Sequence, residues 1–201
     1  MKTMKQLSIL LILITLCMSV FSQYQLGEKT IVYQDPDRDN RNIETVIFYP
    51  ATNAGVDVPI ANGQFPVITF GHGFIMADPD LYQYLWDHLA SLGYICLFPT
   101  TESSGPLPPP DHEQFGLDLK FLNTKIKSEG NNSSSFFYNK IAPETAIMGH
   151  SMGGKATYIA SANNTDITTV ISLGAALGNP PIGNSYDAME TAVPFVVVPT
   201  L

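Results

Sequence analysis

Thr145-Ala146-Ile147-Met148-Gly149-His150-Ser151-Met152-Gly153-Gly154 is the stretch whose reading decides the fold. Thr145–Gly149 is a short apolar run of the kind buried on both faces of a sheet, and Met152–Ala162 is a helix built largely from small residues. Between them stands Gly-x-Ser-x-Gly, directly after a strand and directly before a helix, the context of a nucleophile elbow. A serine forced into a strained turn needs neighbours without side chains two positions before and after it, and Gly149 and Gly153 supply them. The turn lifts the Ser151 hydroxyl above the sheet and aims the N-terminus of the following helix at any negative charge that develops there. Gly154 and Ala156 let that helix pack closely on the strands. The bland alternative is a glycine-rich strand-to-helix turn that contains serine by chance.

Upstream, strand-like and helix-like segments alternate. Thr30–Tyr33 and Ile43–Tyr49 are β-branched and aromatic, joined by the polar hairpin connection Asp35–Asn42. Phe65–Phe70 and Tyr94–Phe98 read as buried strands. Between those two, Asp78 can cap a helix, Pro79 fits its first position and Gly93 can end it, with Leu81, Leu85, Leu89 and Leu92 on one face. Thr100–Pro110 holds four prolines and reads as a loop. A second helix follows from Asp111 to about Lys127, with Phe115, Leu119, Leu122 and Ile126 inward. Thr168–Ala175 is a further strand. This alternation implies an α/β architecture: a mostly parallel sheet, helices on both faces, and functional loops at the C-terminal ends of the strands.

Gly71-His72-Gly73-Phe74 follows the strand Phe65–Phe70, where such an architecture draws a second backbone donor for an oxyanion hole. The amide of Met152, just after the nucleophile, is one candidate donor and that of Phe74 the other. A plain glycine turn into a helix is the alternative. Together with Leu89-Ala90-Ser91-Leu92-Gly93-Tyr94 and Val198-Pro199-Thr200-Leu201, these motifs resemble the polyester hydrolase, cutinase-like and chlorophyllase-like branch of the α/β-hydrolases, from about Thr45 to Leu201. The resemblance implies an α/β-hydrolase fold whose last strands and helix are missing from this chain. It also implies Ser151 as nucleophile and the amides of Phe74 and Met152 as the oxyanion hole, with their side chains flooring the acyl cleft. The implied activity is that of a serine carboxylic ester hydrolase working through an acyl-enzyme on small-molecule or polymeric esters. Two features depart from that branch: His150 stands where polyester-degrading enzymes commonly carry tryptophan, and the loop Thr101–Pro110 is proline-rich.

A serine hydroxyl needs a base held by a carboxylate, in the chain order Ser, Asp or Glu, His. The histidines are His72, His88, His112 and His150, none of them after Ser151. His72 is read as a brace of the oxyanion loop, His88 as a helix residue, His112 as lying near an exposed helix start and His150 as a cleft wall. Asp187 is a minor candidate for the acid, and Asp166 lies at the wrong edge. The expectation is that Val198–Leu201 begins the strand whose far end carries the acid, with an Asp within about ten residues of Leu201 and a later His. A non-catalytic binding module that keeps the elbow without its base is the competing reading from another class.

Residues 1–22 read as a signal peptide: Lys2 and Lys5, then the apolar Leu7–Phe21, then Val20 and Ser22 before a cleavage at Gln23. The expectation is a secreted or periplasmic domain over residues 23–201, without a stable membrane anchor. Loss of Lys2 and Lys5 leaves eight basic against eighteen acidic residues, a net −10. Such a surface repels phosphate backbones and excludes nucleic acid as a partner. Cys96 is then the only cysteine, expected as a buried free thiol. Asn131, Asn132 and Asn163 each begin an N-x-Ser/Thr pattern, which matters only in a glycosylating host. Histidines without ligand spacing and glycines without a phosphate-loop pattern give no reason to expect a metal or cofactor.

Overall fold

The computed structural model describes residues 24–103 and 110–176 and the backbone of residues 196–198. The expected leader, Asp187 and residues 199–201 lie outside the described residues. The hairpin is longer than its β-branched cores: β1 (Gln25–Asp35) and β2 (Arg41–Ala51) pair antiparallel from Gln25↔Ala51 to Asp35↔Arg41. Their ladder runs through polar residues because one face of this ribbon is wet. At the tip, the Asp35 carboxylate accepts from the Asp37 amide at 3.1 Å and from Arg38 Nε at 2.7 Å, closing a single tight helical turn over Pro36–Arg38.

The remaining strands are β3 (Gly55–Val56), β4 (Phe65–Gly71), β5 (Ile95–Pro99), β6 (Ile141–His150), β7 (Thr169–Leu173) and β8 (Val196–Val198). Among the described residues the sheet has the order β3-β1-β2-β5-β4-β6-β7-β8, parallel from β5 through β8. From β4 the chain moves to β5 on one side, then returns across β4 to β6 on the other. The progression therefore reverses between β4 and β6. In an open parallel sheet that reversal opens a crevice at the C-terminal ends of the two strands, and the strand ends that flank it are Gly71 and His150.

Alternate residues of each central strand feed opposite faces. Ile47, Val67, Ile95 and Leu97 pack with Leu122 and Ile126 of α2 (His112–Asn131), while Ile147 joins Phe115 and Leu119 of α2 and Met152 and Ala156 of α3 (Met152–Ser161). Phe48, Ile68, Phe70, Cys96, Phe98 and Met148 pack instead around Trp86 of α1 (Gln83–Ser91). The mostly parallel sheet with helices on both faces is as expected.

Three expectations are corrected. The helix expected from Pro79 starts as a tighter three-residue-per-turn segment, Pro79–Tyr82, and becomes α-helical only at Gln83. That winding turns Leu81 off the apolar stripe, and Leu92 lies past the helix end, so the two are 57% and 54% exposed while Trp86 and Ala90 are buried. Asp78 does cap the segment by accepting from the Asp80 amide, and Gly93 ends the helix at φ 94°. Second, α2 runs on to Asn131. Third, β8 begins two residues before the expected Val198, pairing Val196, Val197 and Val198 with Ile171, Ser172 and Leu173.

Cys96 is fully buried and free, and burial pushes its thiol well above the usual range. A thiol reagent should therefore leave Cys96 unmodified in the native protein and react fully after denaturation, read by absorbance of the released thiolate.

Candidate active site

Ser151 lies between β6 and α3 with φ 52° and ψ −111°, a conformation that residues with a Cβ rarely adopt. Three main-chain bonds hold it there. Its amide donates to the Leu173 carbonyl at 2.9 Å, and its carbonyl accepts from the amides of Lys155 and Ala176, each at 3.0 Å. Glycines make the bend possible. A Cβ at Gly153 would run into the Gly71 carbonyl, and one at Gly149 would run into the Gly153 carbonyl. The start of α3 thus lies backbone to backbone on the end of β4, and the Gly153 amide donates to the His72 carbonyl at 2.9 Å. Ser151 is partly buried at the crevice between β4 and β6.

The loop after β4 supplies the other side. The Gly73 carbonyl accepts from the Met76 amide at 3.0 Å, forming a turn whose third residue, Ile75, has φ 53°. A β-branched residue there is strained. Both amides singled out in the sequence, Met152 and Phe74, therefore lie beside a residue at positive φ. Neither is engaged by a main-chain carbonyl among the described residues.

His72 is buried under this loop, with Nδ1 2.8 Å from the Gly73 carbonyl and Nε2 2.8 Å from the Thr101 carbonyl. Burial lowers its pKa while the two carbonyls oppose that shift. The bracing role expected of it is its position here. Thr101 in turn donates from Oγ1 to Asp118 Oδ2 at 2.6 Å, and the fully buried Asp118 is held by Arg41 at 2.9 and 3.0 Å and by Arg38 at 2.6 Å. A charged cluster between hairpin and α2 thus anchors the loop from behind.

The other histidines are dispersed. His88 is exposed and stacks on Tyr84 with ring centroids 6.4 Å apart. His112 was expected near an exposed helix start but is only 3% exposed, because its side of the first turn of α2 faces the protein while Asp111 and Glu113 stay exposed, and burial lowers its pKa. His150 directs Nδ1 to the Tyr82 hydroxyl at 3.1 Å. None of the four hydrogen-bonds Ser151. Asp166 lies before β7, with its carboxylate 3.9 Å from Lys127, at the opposite edge from the crevice. No group of three or more His, Cys, Asp or Glu side chains gathers around a metal-sized space among the described residues. No helix among them is long and apolar enough to cross a membrane.

Sequence reasoning passed over Tyr82. Its hydroxyl accepts from the Gly73 amide at 3.0 Å and meets His150, so it touches both sides of the crevice. Nothing in its own neighbourhood of sequence signals this, because both partners are distant along the chain.

A family model described as Chlorophyllase matches residues 21–198. The chain belongs to the chlorophyllase family. Its mostly parallel sheet with helices on both faces is the α/β-hydrolase fold of that family. Among curated relatives, Chlorophyllase-1 of Arabidopsis thaliana is 25% identical over 146 residues, covering 71% of this chain and 43% of that protein. Chlorophyllase-2 of the same plant is 22% identical over 143 residues, or 69% and 42%. Chlorophyllase-1, chloroplastic, of Citrus sinensis is 24% identical over 156 residues, or 71% and 44%. The chain spans less than half the length of the chlorophyllases it matches.

The glycine contact sets a steric test of this site. Gly153→Ala should destabilise the protein by about 3 kcal/mol, since the methyl group meets main chain that cannot swing away. Gly154→Ala, whose Cβ would lie 3.1 Å or more from its neighbours, should cost less. Urea unfolding of both variants measures the difference.

Proposed function

We propose that this chain carries the nucleophile and oxyanion hole of a secreted serine carboxylic ester hydrolase. The single observation that carries the reading is the bend at Ser151: φ 52° at a partly buried serine, with α3 starting at the next residue. Membership of the chlorophyllase family supports ester cleavage as the reaction class. Export rests on the leader-like pattern of residues 1–22.

In the proposed reaction Ser151 Oγ attacks the ester carbonyl carbon while a histidine base takes its proton. The carbonyl π pair moves onto oxygen, and that oxyanion is met by the amides of Met152 and Phe74. The intermediate collapses, the C–O bond to the alcohol breaks, and the alcohol leaves with the proton held by the histidine. Water, deprotonated by the same base, then cleaves the acyl-Ser151 ester and regenerates the hydroxyl. None of the four histidines hydrogen-bonds Ser151, so we assign the base, with its carboxylate partner, to sequence of the full-length gene product beyond Leu201. The family order of Ser, acid and His supports this assignment.

The test is labelling of the full-length gene product by a fluorophosphonate, with turnover of short-chain nitrophenyl esters and chlorophyll measured alongside. Labelling and turnover of at least one ester are expected, and Ser151→Ala should abolish the labelling and lower kcat by about 10⁴-fold or more. Equal labelling of the Ser151→Ala protein would remove Ser151 as nucleophile. A full-length product that neither labels nor turns over ester would favour a binding module that has kept the elbow alone.

A further inference from the structure

We infer that Tyr82 is a positioning residue of the oxyanion hole, tying the Phe74 loop to the nucleophile elbow through its phenol oxygen; this rests on the ester-hydrolase reading above. The two candidate donors come from separate pieces of chain, Phe74 from the loop after β4 and Met152 from the start of α3. Their spacing decides whether both can reach one oxygen. The elbow side is fixed by main-chain bonds and glycine contacts. The loop side contains a strained Ile75, and it needs a holding contact of its own.

Tyr82 supplies that contact. Its oxygen accepts from the Gly73 amide at 3.0 Å, one residue before Phe74, and lies 3.1 Å from His150 Nδ1, one residue before Ser151. The Gly73 N–H occupies one lone pair of the phenol oxygen; the phenol hydrogen can go to His150 Nδ1 at 3.1 Å or to Met76 Sδ at 3.8 Å, and which it takes follows the His150 tautomer. The phenol has little freedom to leave. Its ring packs against Phe70 with centroids 4.9 Å apart and against Phe98 at 5.8 Å, and burial raises its pKa, so it stays a neutral hydroxyl able to donate. A Cβ at Gly73 would come within 2.9 Å of Met76 Sδ and 3.1 Å of His150 Nδ1, so a side chain there would press on both. Loop, phenol and elbow ring therefore share one tightly filled junction.

Tyr82→Phe removes one oxygen and leaves the ring packing in place. In the full-length gene product it should lower kcat for ester hydrolysis about 10- to 100-fold, the scale of a misplaced reacting group, with KM changed by less than about threefold. Hydrogen exchange adds a readout independent of catalysis. The Gly73 amide should lose protection in Tyr82→Phe, while the Gly153 amide, bonded to the His72 carbonyl, keeps it. Ile126→Val, a core change on the opposite face of the sheet in the cluster of Val67, Leu97 and Leu122, should lower the melting temperature and leave kcat unchanged. A Tyr82→Phe protein with wild-type kcat, or with a kcat that falls only as far as its folded fraction does, would overturn the assignment while Ser151-dependent turnover of the wild type left the ester-hydrolase reading intact. A wild type without turnover would sink that reading, and unchanged Gly73 exchange in Tyr82→Phe would then remove the tie as well.

Discussion

One contact governs the crevice end of this molecule: the main chain at Gly153 resting on the main chain at Gly71. No residue with a Cβ fits at that point, so two pieces of architecture distant in sequence, the end of β4 and the start of α3, are held at a separation that only glycine allows. The consequences run outward from there. The helix cannot start lower, so the chain must bend sharply after His150, and Ser151 absorbs the bend at positive φ. The Gly153 amide is spent on the His72 carbonyl, and the preceding amide, that of Met152, is not engaged by a main-chain carbonyl among the described residues.

The strain this stores is shared between two places. Ser151 and Ile75 both hold backbone conformations costing on the order of 1–3 kcal/mol each, and each neighbours one of the two amides assigned to the oxyanion hole. Such conformations persist only where the surroundings over-determine them. At Ser151 three main-chain hydrogen bonds do so. Behind the Phe74 loop, His72 connects to Thr101, and Thr101 to the buried Asp118 held by Arg38 and Arg41, so a charged cluster of the amino-terminal hairpin supports the loop at one remove.

Much of this was legible in the sequence because it is local. Gly149, Ser151 and Gly153 lie within five residues, and the strand before them and the small-residue helix after them are recognisable by composition. The stripe Phe115, Leu119, Leu122 and Ile126 has helical period, and all four are fully buried. The misreadings have physical causes. Leu81 and Leu92 share a face only if the helix is α-helical from Pro79 onward, and the tighter first turn breaks that register. His112 follows a capping Asp111 at a helix start, a position normally wet, but here its side of the first turn of α2 faces the protein, with Asp111 and Glu113 outside. Tyr82 could not be read at all, since its partners lie 9 and 68 residues away and meet it only after the sheet has formed.

The central claim is that Ser151 and the amides of Met152 and Phe74 converge on one reacting carbon and its oxygen. The most direct measurement is a crystal structure of the full-length gene product inactivated by a phosphonate ester. The account predicts a phosphorus–Oγ bond at Ser151, a phosphoryl oxygen about 2.7–3.1 Å from both amide nitrogens, and a serine φ still near its present positive value. A phosphoryl oxygen turned away from either amide, or a relaxed negative φ at Ser151, would contradict it.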